Sequence, residues 1–157
     1  MITKQELETA QKTWGEGVVK IGSLMADMSE CKKFTENFVD ELYDFDNKEV
    51  LFKPTKAAVQ QFRINKTGAV SYFIGENSEY SEDKGFALQP WTKVRFENVA
   101  LILEETRALA MGNYFFSDQS GNETKVEYTF GYTKGKDGAL KIDVHHSSLP
   151  FSIAVTA

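Results

Sequence analysis

The sequence predicts an α+β domain in which N-terminal helices pack on a curved antiparallel sheet. Apolar residues recur at helical spacing in the first part of the chain, and after the charged segment SEYSEDKG they alternate with period two. Helices followed by strands are typical of this class, and a curved sheet wrapped around helices forms a cone with an internal pocket. A chain of 157 residues is a common size for one compact domain, so we expect a single domain over 1–157.

The first helix is predicted over residues 4–27. Thr3 and Glu6 have the spacing of a capping box. The apolar side chains that follow at helical spacing are Leu7, Ala10, Trp14, Val18, Ile21 and Met25. This pattern predicts an amphipathic helix that buries one face.

A second helix is predicted at about 30–43 with Ser29 as its N-cap, and Pro54 then ends regular structure. Segment 65–75 fits both a short helix capped by Asn65 and a strand, so its structure stays open at this point. Long antiparallel strands are predicted in WTKVRFENVALILEETRALAMGNYFFS and TKVEYTFGYTKGKDGALKIDVHHS, with the turn KGKDG joining the last pair.

Composition and charge narrow the range of partners. The formal net charge is −5 and no Lys/Arg cluster occurs, so we expect no nucleic-acid partner. No apolar run is long enough to span a bilayer, and residues 1–20 lack the apolar core of a signal peptide. The single Cys31 cannot form an internal disulfide, which is typical of a reducing compartment. We therefore expect a soluble cytoplasmic protein without a membrane partner.

The last predicted strand carries both histidines of the chain, in KIDVHHSSLPF. Because side chains alternate along a strand, His146 and Ser148 share the face of the preceding apolar residues, and we predict that this face lines the pocket. His145 and Ser147 then face the other way, unless a bulge reverses the alternation. Neighbouring histidines diverge on a regular strand and no third histidine occurs, so no zinc centre is expected. Carboxylate-assisted binding of Mn or Mg stays open, without a motif in its favour.

The opposite face presents Asp143, His145 and Ser147 at alternate positions, which are the residue types of a hydrolase triad. Residues two apart on a strand are separated by roughly 6 to 7 Å, too far for the short hydrogen bonds of a triad. A serine hydrolase is therefore not predicted. The default interpretation is a solvated strand end, but four consecutive polar groups that close an apolar strand favour a site.

Three further polar residues each have two interpretations. Thr55 is a helix cap or turn former by default, and alternatively places a hydroxyl at the pocket mouth. Tyr72 is a core aromatic residue, or it donates a hydrogen bond to an anionic ligand. Arg63 pairs with an acidic neighbour or attracts an anion. Spacing alone does not decide between these interpretations.

Six stretches together resemble a known family: VLFKPTKAAVQQFR, SYFIG, EDKGFALQPWTKVRFEN, AMGNYFF, KVEYTFGY and LKIDVHHSSLPF. The chain resembles the iota-class carbonic anhydrases, in the cyanobacterial and algal branch described as working without a metal. The resemblance covers nearly the whole chain. It implies one cone-shaped nuclear transport factor 2-like (SnoaL-like) domain, related to the association domain of calcium/calmodulin-dependent kinase II. It also implies that SYFIG lies on a short third helix.

The resemblance implies a carbonate hydro-lyase that converts carbon dioxide to bicarbonate with no cofactor. The site residues that it implies are Thr55, Tyr72, His145, His146, Ser147 and Ser148, with Thr55, Tyr72 and Ser147 as substrate-binding residues. Homodimers are common among such relatives, so a homodimer is expected. Fold alone would not give the activity, because other members of the superfamily are isomerases, dehydratases or binding proteins.

Without a metal, histidine is the side chain suited to take a proton from water near neutral pH. We therefore predict His146 as the general base, with His145 in reserve, while the hydroxyls of Thr55, Tyr72 and a serine orient water and bind bicarbonate. A mechanism that uses hydroxyls only, with the histidine orienting a serine, is equally permitted. Two alternative functions stay open: a Mn- or Zn-dependent carbonic anhydrase, and a non-enzymatic module that binds small anions or assembles partners.

Overall fold

In the computed structural model, which describes residues 1–152, helices precede a five-stranded sheet, and the predicted α+β class is confirmed. The main elements are α1 (Lys4–Ser23), α2 (Met28–Leu42), β1 (Leu51–Lys53), α3 (Lys66–Ile74), β2 (Lys93–Leu103), β3 (Arg107–Ser117), β4 (Glu123–Lys134) and β5 (Leu140–Ser148). Two short 3₁₀ helices, at Ser78–Tyr80 and Phe86–Leu88, connect α3 to β2.

Local side-chain caps begin the helices. The predicted capping box of α1 is present, with Thr3 Oγ1 accepting from the Glu6 N–H at 3.1 Å and Glu6 Oε2 accepting from the Thr3 N–H at 2.7 Å. The helix ends at Ser23, four residues earlier than predicted. Asn65 caps α3 as predicted, since its Oδ1 accepts from the Gly68 N–H at 2.8 Å. Segment 65–75, which fitted both a helix and a strand in the sequence, therefore forms the helix α3.

The second helix starts earlier than predicted, because its N-cap is Asp27 and not Ser29. Asp27 Oδ1 accepts a hydrogen bond from the Glu30 N–H at 3.2 Å, and the helix begins at Met28. A carboxylate in this position satisfies an otherwise unpaired N–H group, and its negative charge interacts favourably with the positive end of the helix dipole. The predicted cap, Ser29, lies inside the helix.

The sheet has the strand order β1-β5-β4-β3-β2, and its four long strands pair antiparallel as predicted. The short strand β1 was not predicted, and it pairs parallel with β5, which makes the sheet mixed. Three residues are too few to show an alternating pattern. The strand ends at Lys53, so Pro54 does end regular structure there.

The helices cover one face of the sheet and enclose an aromatic core around Trp14. Its ring centroid lies 5.6 Å from that of Tyr114, 5.5 Å from that of His145 and 5.9 Å from that of Phe130. Gly17, one turn further along α1, gives room for the Phe38 ring: a Cβ at this glycine would lie 2.4 Å from Phe38 Cε2. The core therefore holds polar ring groups beside apolar rings.

A β-bulge interrupts β5 just before the two histidines. Tyr132 pairs with Ile142 and Gly131 pairs with Val144, so Asp143 is an extra residue without a partner on β4. An extra residue of this kind shifts the alternation of the strand by one position. Side chains beyond the bulge therefore face the opposite way from those of a regular strand.

Candidate active site

The bulge turns His145 and Ser147 into the domain, with 2% and 1% of their surface exposed. His146 is exposed on the outer face of the sheet, where it lines a surface groove together with Ser148. The prediction that His146 and Ser148 face the pocket is therefore wrong, because it assumed regular alternation. His145, held in reserve for a bulge, takes the inward position.

Two phenylalanine rings enclose His145. The Phe130 ring centroid lies 4.0 Å from the imidazole centroid on one side, and the Phe52 centroid lies 4.9 Å away on the other, both nearly parallel to it. Burial lowers the pKa of His145 from its usual value to about 3, with a smaller contribution from the neighbouring His146. The imidazole is therefore neutral near neutral pH.

Each ring nitrogen of His145 is hydrogen-bonded to a tyrosine hydroxyl. Nδ1 lies 2.8 Å from the Tyr43 hydroxyl, and Nε2 lies 3.1 Å from the Tyr114 hydroxyl. The Tyr43 oxygen also accepts a hydrogen bond from Trp14 Nε1–H at 3.0 Å. An indole N–H can only donate, and His145 Nδ1 is the one other hydrogen-bond partner of the Tyr43 hydroxyl among the described residues, so we assign the Tyr43 proton to Nδ1 and the imidazole hydrogen to Nε2.

The chain of hydrogen bonds continues from His145 to two further hydroxyls. Tyr114 lies 2.5 Å from Ser147 Oγ, and Ser147 Oγ lies 2.6 Å from Thr55 Oγ1. With Nε2–H donating to Tyr114, the Tyr114 hydroxyl donates to Ser147, and Ser147 donates to Thr55. We call the series Trp14, Tyr43, His145, Tyr114, Ser147 and Thr55 the donor chain. It leaves the Thr55 proton free for a ligand.

The donor chain ends at a small cavity. Its walls are formed by Trp14, Phe52, Pro54, Thr55, Tyr72, Phe73, Phe86, Tyr114, His145 and Ser147. The space open to the centre of a water molecule is about 10 Å³, which is close to the minimum that holds one water molecule. The cavity therefore combines apolar walls with a few convergent hydroxyls, which is typical of a small-molecule site.

Tyr72 brings a further hydroxyl to this cavity. Its oxygen accepts a hydrogen bond from the Lys56 N–H at 3.2 Å, so its own proton is available to a ligand. Burial raises the pKa of Tyr72, and likewise of Tyr114 and Tyr43, far above neutral pH. All of these phenols are therefore uncharged donors in the native protein.

Lys53 fixes the backbone on both sides of the hydroxyl pair. Its Nζ donates to the backbone carbonyl of Ser147 at 3.0 Å and to that of Thr55 at 3.5 Å. Burial lowers the pKa of Lys53. Thr55 and Ser147, whose hydroxyls are hydrogen-bonded, are therefore also linked through their main chains.

The structure brings together Thr55, Tyr72, His145 and Ser147 of the predicted site residues. It places Arg63 elsewhere and decides its open interpretation: the guanidinium pairs with both carboxylate oxygens of Asp83 at 2.7 Å. Arg63 is thus a buried structural residue that fixes the segment after Thr55.

Sequence reasoning missed three members of the donor chain: Trp14, Tyr43 and Tyr114. For Tyr114 a signal exists, since it lies on the inward, apolar face of an alternating strand and carries a hydroxyl that must find a partner there. Tyr43 follows the last turn of α2, and nothing local indicates a contact with His145, which is 102 positions away in the chain. Trp14 was predicted to lie on the buried face of α1, and in the core it also donates a hydrogen bond to the Tyr43 hydroxyl.

Over residues 1–152, no group of three or more His, Cys, Asp and Glu side chains is arranged to hold a metal ion. Within the same part of the chain, no helix is long and apolar enough to cross a membrane.

A family model described as metal-independent carbonic anhydrase matches residues 5–149. The chain belongs to this family. A curated metal-independent carbonic anhydrase from a Nostoc species is 39% identical over 153 residues, which cover 96% of this chain and 75% of that protein. The family and the activity that the sequence resemblance implied are thereby confirmed.

Solved structures agree with this family assignment. A cyanobacterial iota-carbonic anhydrase complexed with bicarbonate superposes with a TM-score of 0.93 and 39% identity, covering 97% of this chain and 94% of that one. A calcium/calmodulin-dependent kinase II association domain from Xanthomonas campestris shares the fold, with a TM-score of 0.64, 21% identity and coverage of 98% and 91%. A protein of the nuclear transport factor 2-like family from Streptomyces avermitilis superposes with a TM-score of 0.57 and 12% identity, covering 94% of this chain and 96% of that one, which confirms the predicted nuclear transport factor 2-like fold.

Proposed function

We propose that this family member hydrates carbon dioxide to bicarbonate in the cavity at Thr55, Tyr72 and Ser147, without a metal ion. The observation that carries the proposal is the donor chain, which ends in neutral hydroxyls at a small cavity with apolar walls. The related cyanobacterial enzyme was crystallised with bicarbonate. Bicarbonate here would occupy the cavity and accept hydrogen bonds from these hydroxyls.

The cavity walls suit carbon dioxide, which is apolar and has no proton to donate. Phe52, Phe73 and Phe86 provide an apolar surface, and the free protons of Thr55 and Tyr72 are available to the two substrate oxygens. Negative charge develops on these oxygens as water attacks the carbon. Donors oriented in advance toward such an oxygen stabilise the transition state more than the ground state.

In the proposed reaction the oxygen of a water molecule attacks the carbon of carbon dioxide, and one C=O bond becomes a single bond. The water proton passes to a hydroxyl oxygen of the site while the hydroxyl pair delivers a proton to the developing oxyanion. Hydroxyls both accept and donate, so Thr55 and Ser147 exchange these protons without becoming charged. Carbonic acid leaves and releases its proton to solvent, which gives bicarbonate.

His145 orients the hydroxyls in this mechanism and does not act as a base that titrates near neutral pH. Both of its nitrogens are occupied by tyrosine hydroxyls, and burial holds its pKa at about 3. A general base works best when its pKa lies near the operating pH. Of the two mechanisms left open by the sequence, the geometry supports the one in which a histidine orients Tyr114 and Ser147.

The test is stopped-flow hydration of carbon dioxide by protein prepared in chelator, comparing Tyr72→Phe, Thr55→Val and Ser147→Ala with His146→Gln. Each hydroxyl deletion is expected to lower kcat/KM by about 10²–10³, the usual effect of one lost oxyanion donor. His146→Gln is a matched control on the adjacent, exposed position and should retain wild-type activity. Full activity in Tyr72→Phe, or inactivity of the wild-type protein, would contradict the proposal.

The same assay separates the two alternatives. A Mn- or Zn-dependent anhydrase would lose activity in chelator and recover it with one of these ions. A non-enzymatic anion-binding module would bind bicarbonate without any hydration above the buffer rate. Neither alternative needs the Tyr72 hydroxyl to donate its proton to an oxyanion that develops on carbon dioxide.

Two broader expectations belong to the proposal. A homodimer through the outer sheet face is supported by Val99, Ile102 and Met111, which are 76%, 55% and 57% exposed, since exposed apolar side chains favour association. Sedimentation of Met111→Glu against wild type tests it, and a wild-type monomer would contradict it. A cytoplasmic location agrees with the free, buried Cys31, and cell fractionation tests it.

A further inference from the structure

The inward positions of His145 and Ser147 depend on the β-bulge at one residue, Asp143. If β5 paired regularly onward from Ile142, Val144 would face inward, and His145 and Ser147 would face the solvent. With Asp143 bulged, Ile142 keeps its place opposite Tyr132 and both polar residues turn into the cavity. The bulge is thus the geometric condition for the whole donor chain.

Two cations from other elements hold the bulged residue. Asp143 Oδ2 accepts from Arg107 Nη1 at 2.6 Å and from Lys48 Nζ at 3.0 Å. The Asp143 side chain is only 6% exposed, whereas those of Arg107 and Lys48 are 33% and 43% exposed. A buried carboxylate is costly unless it is paired, so these two cations fix Asp143 in its bulged position.

Gly131 has no side chain, which leaves room for Arg107 to contact Asp143. Arg107 begins β3, Asp143 lies on β5, and Gly131 lies on the strand between them. A Cβ at Gly131 would lie 2.7 Å from Arg107 Nη2 and 2.9 Å from Val144 Cβ. Such a Cβ would displace the guanidinium. Arg107 can therefore cross β4 to Asp143 only because residue 131 is a glycine.

The bulged arrangement leaves one carboxylate oxygen without a partner in the described part of the chain. Asp143 Oδ1 is buried and has no hydrogen-bond partner among residues 1–152. An unsatisfied buried oxygen costs free energy, and a regular strand with an outward side chain would avoid that cost. A role in placing the residues that follow explains why the carboxylate is held there.

We propose that Asp143, held by Arg107 and Lys48 over Gly131, is a positioning residue of the active site: it fixes the bulge that turns His145 and Ser147 into the cavity. This inference rests on the proposed function, because it explains how the proposed site is assembled. In this proposal, the ion cluster of Asp143, Arg107 and Lys48, which lies outside the cavity, sets the register of β5.

Two changes at one position give opposite expectations. Asp143→Val removes the carboxylate and favours a regular strand, so the residues beyond it lose their register. Deletion of Asp143 also removes the carboxylate, but it makes the pairs Tyr132 with Ile142 and Gly131 with Val144 consecutive. A regular strand then still points His145 and Ser147 inward. A merely stabilising ion pair would predict that the deletion is at least as harmful as the substitution.

The readouts are kcat/KM for carbon dioxide and the reactivity of each histidine toward diethylpyrocarbonate, located by mass spectrometry. In the wild type, His146 should be modified and His145 protected. In Asp143→Val, kcat/KM should fall on the order of a hundredfold, since a misplacement of about 1 Å can cost that much, and His145 should become reactive. In the deletion variant His145 should be protected again, with kcat/KM at least tenfold above that of Asp143→Val.

Several outcomes would overturn the inference. Full activity of Asp143→Val, or loss of its activity with His145 still protected, would show that Asp143 does not set the register. A deletion variant that is unfolded, or inactive with His145 protected, would do the same even if Asp143→Val failed to fold. Histidine reactivity does not depend on the reaction, so an inactive wild type would contradict the proposed function and leave this register test to be decided separately.

Discussion

Acid is expected to destabilise this protein through His145. The native imidazole lies between Phe130 and Phe52 with both nitrogens hydrogen-bonded, and burial lowers its pKa from 6.5 to about 3. In the unfolded chain the same histidine binds a proton below about pH 6.5. Between these two values the unfolded state holds more protons than the native state. Stability from His145 is therefore fully present above pH 6.5 and is lost as the pH falls toward 3.

The size of the effect follows from the two pKa values. Each pH unit between them changes the free energy of unfolding by about 1.4 kcal/mol per titrating group. Between about pH 7.5 and pH 5.0 the loss attributable to His145 is therefore about 2 kcal/mol. A change of this size is a substantial part of the stability of an ordinary domain, about 5–15 kcal/mol.

The assay is urea denaturation at both pH values for wild type, His145→Gln and His146→Gln. Glutamine does not titrate, so the pH dependence of His145→Gln should be about 2 kcal/mol smaller than that of wild type. His146→Gln should retain the wild-type dependence within about 0.5 kcal/mol, because His146 is exposed. Carboxylates with lowered pKa values, such as Glu82, contribute equally to all three proteins. Equal pH dependence in wild type and His145→Gln would refute the reasoning.

Two further substitutions test the packing around the site. Tyr43→Phe leaves Trp14 Nε1 and His145 Nδ1 without their buried partner, so urea denaturation should show a loss of about 1–3 kcal/mol, and an unchanged midpoint would show that these two hydrogen bonds do not stabilise the protein. Gly17→Ala places a Cβ 2.4 Å from the Phe38 ring and should cost about 1–3 kcal/mol by overpacking. The double variant with Phe38→Leu should recover part of that loss, and no recovery would exclude this contact as the cause.

Local signals predicted the helical part of this fold well. The capping box at Thr3 and the cap at Asn65 involve residues three positions apart, so the sequence contains the whole interaction. The prediction of Ser29 as the cap of α2 was wrong, because Asp27 caps this helix and both residue types suit the position. The parallel strand β1 was too short to be seen.

The orientation of the catalytic strand could not be predicted from the pattern of β5 alone. The bulge at Asp143 depends on Arg107, which is 36 positions earlier, and on Lys48, which is 95 positions earlier. Alternation is a local rule, and it fails where distant charges hold an extra residue. The resemblance to a family named both histidines and both serines, and the register places His145 and Ser147 at the cavity and His146 and Ser148 on the outer face.

The bulge also separates the active site from the hairpin that precedes it. Beyond Asp143 the strand also pairs with β1, where Leu51 pairs with Val144 and Phe52 pairs with His145. The turn between β4 and β5 therefore does not determine which side chains reach the cavity. Residues can be added or removed in that exposed turn, around Gly135 and Gly138, while the side chains of residues 144–148 continue to face the same sides of the sheet. The site is thus insulated from changes in loop length, a tolerance that a regular strand aligned by its turn would lack.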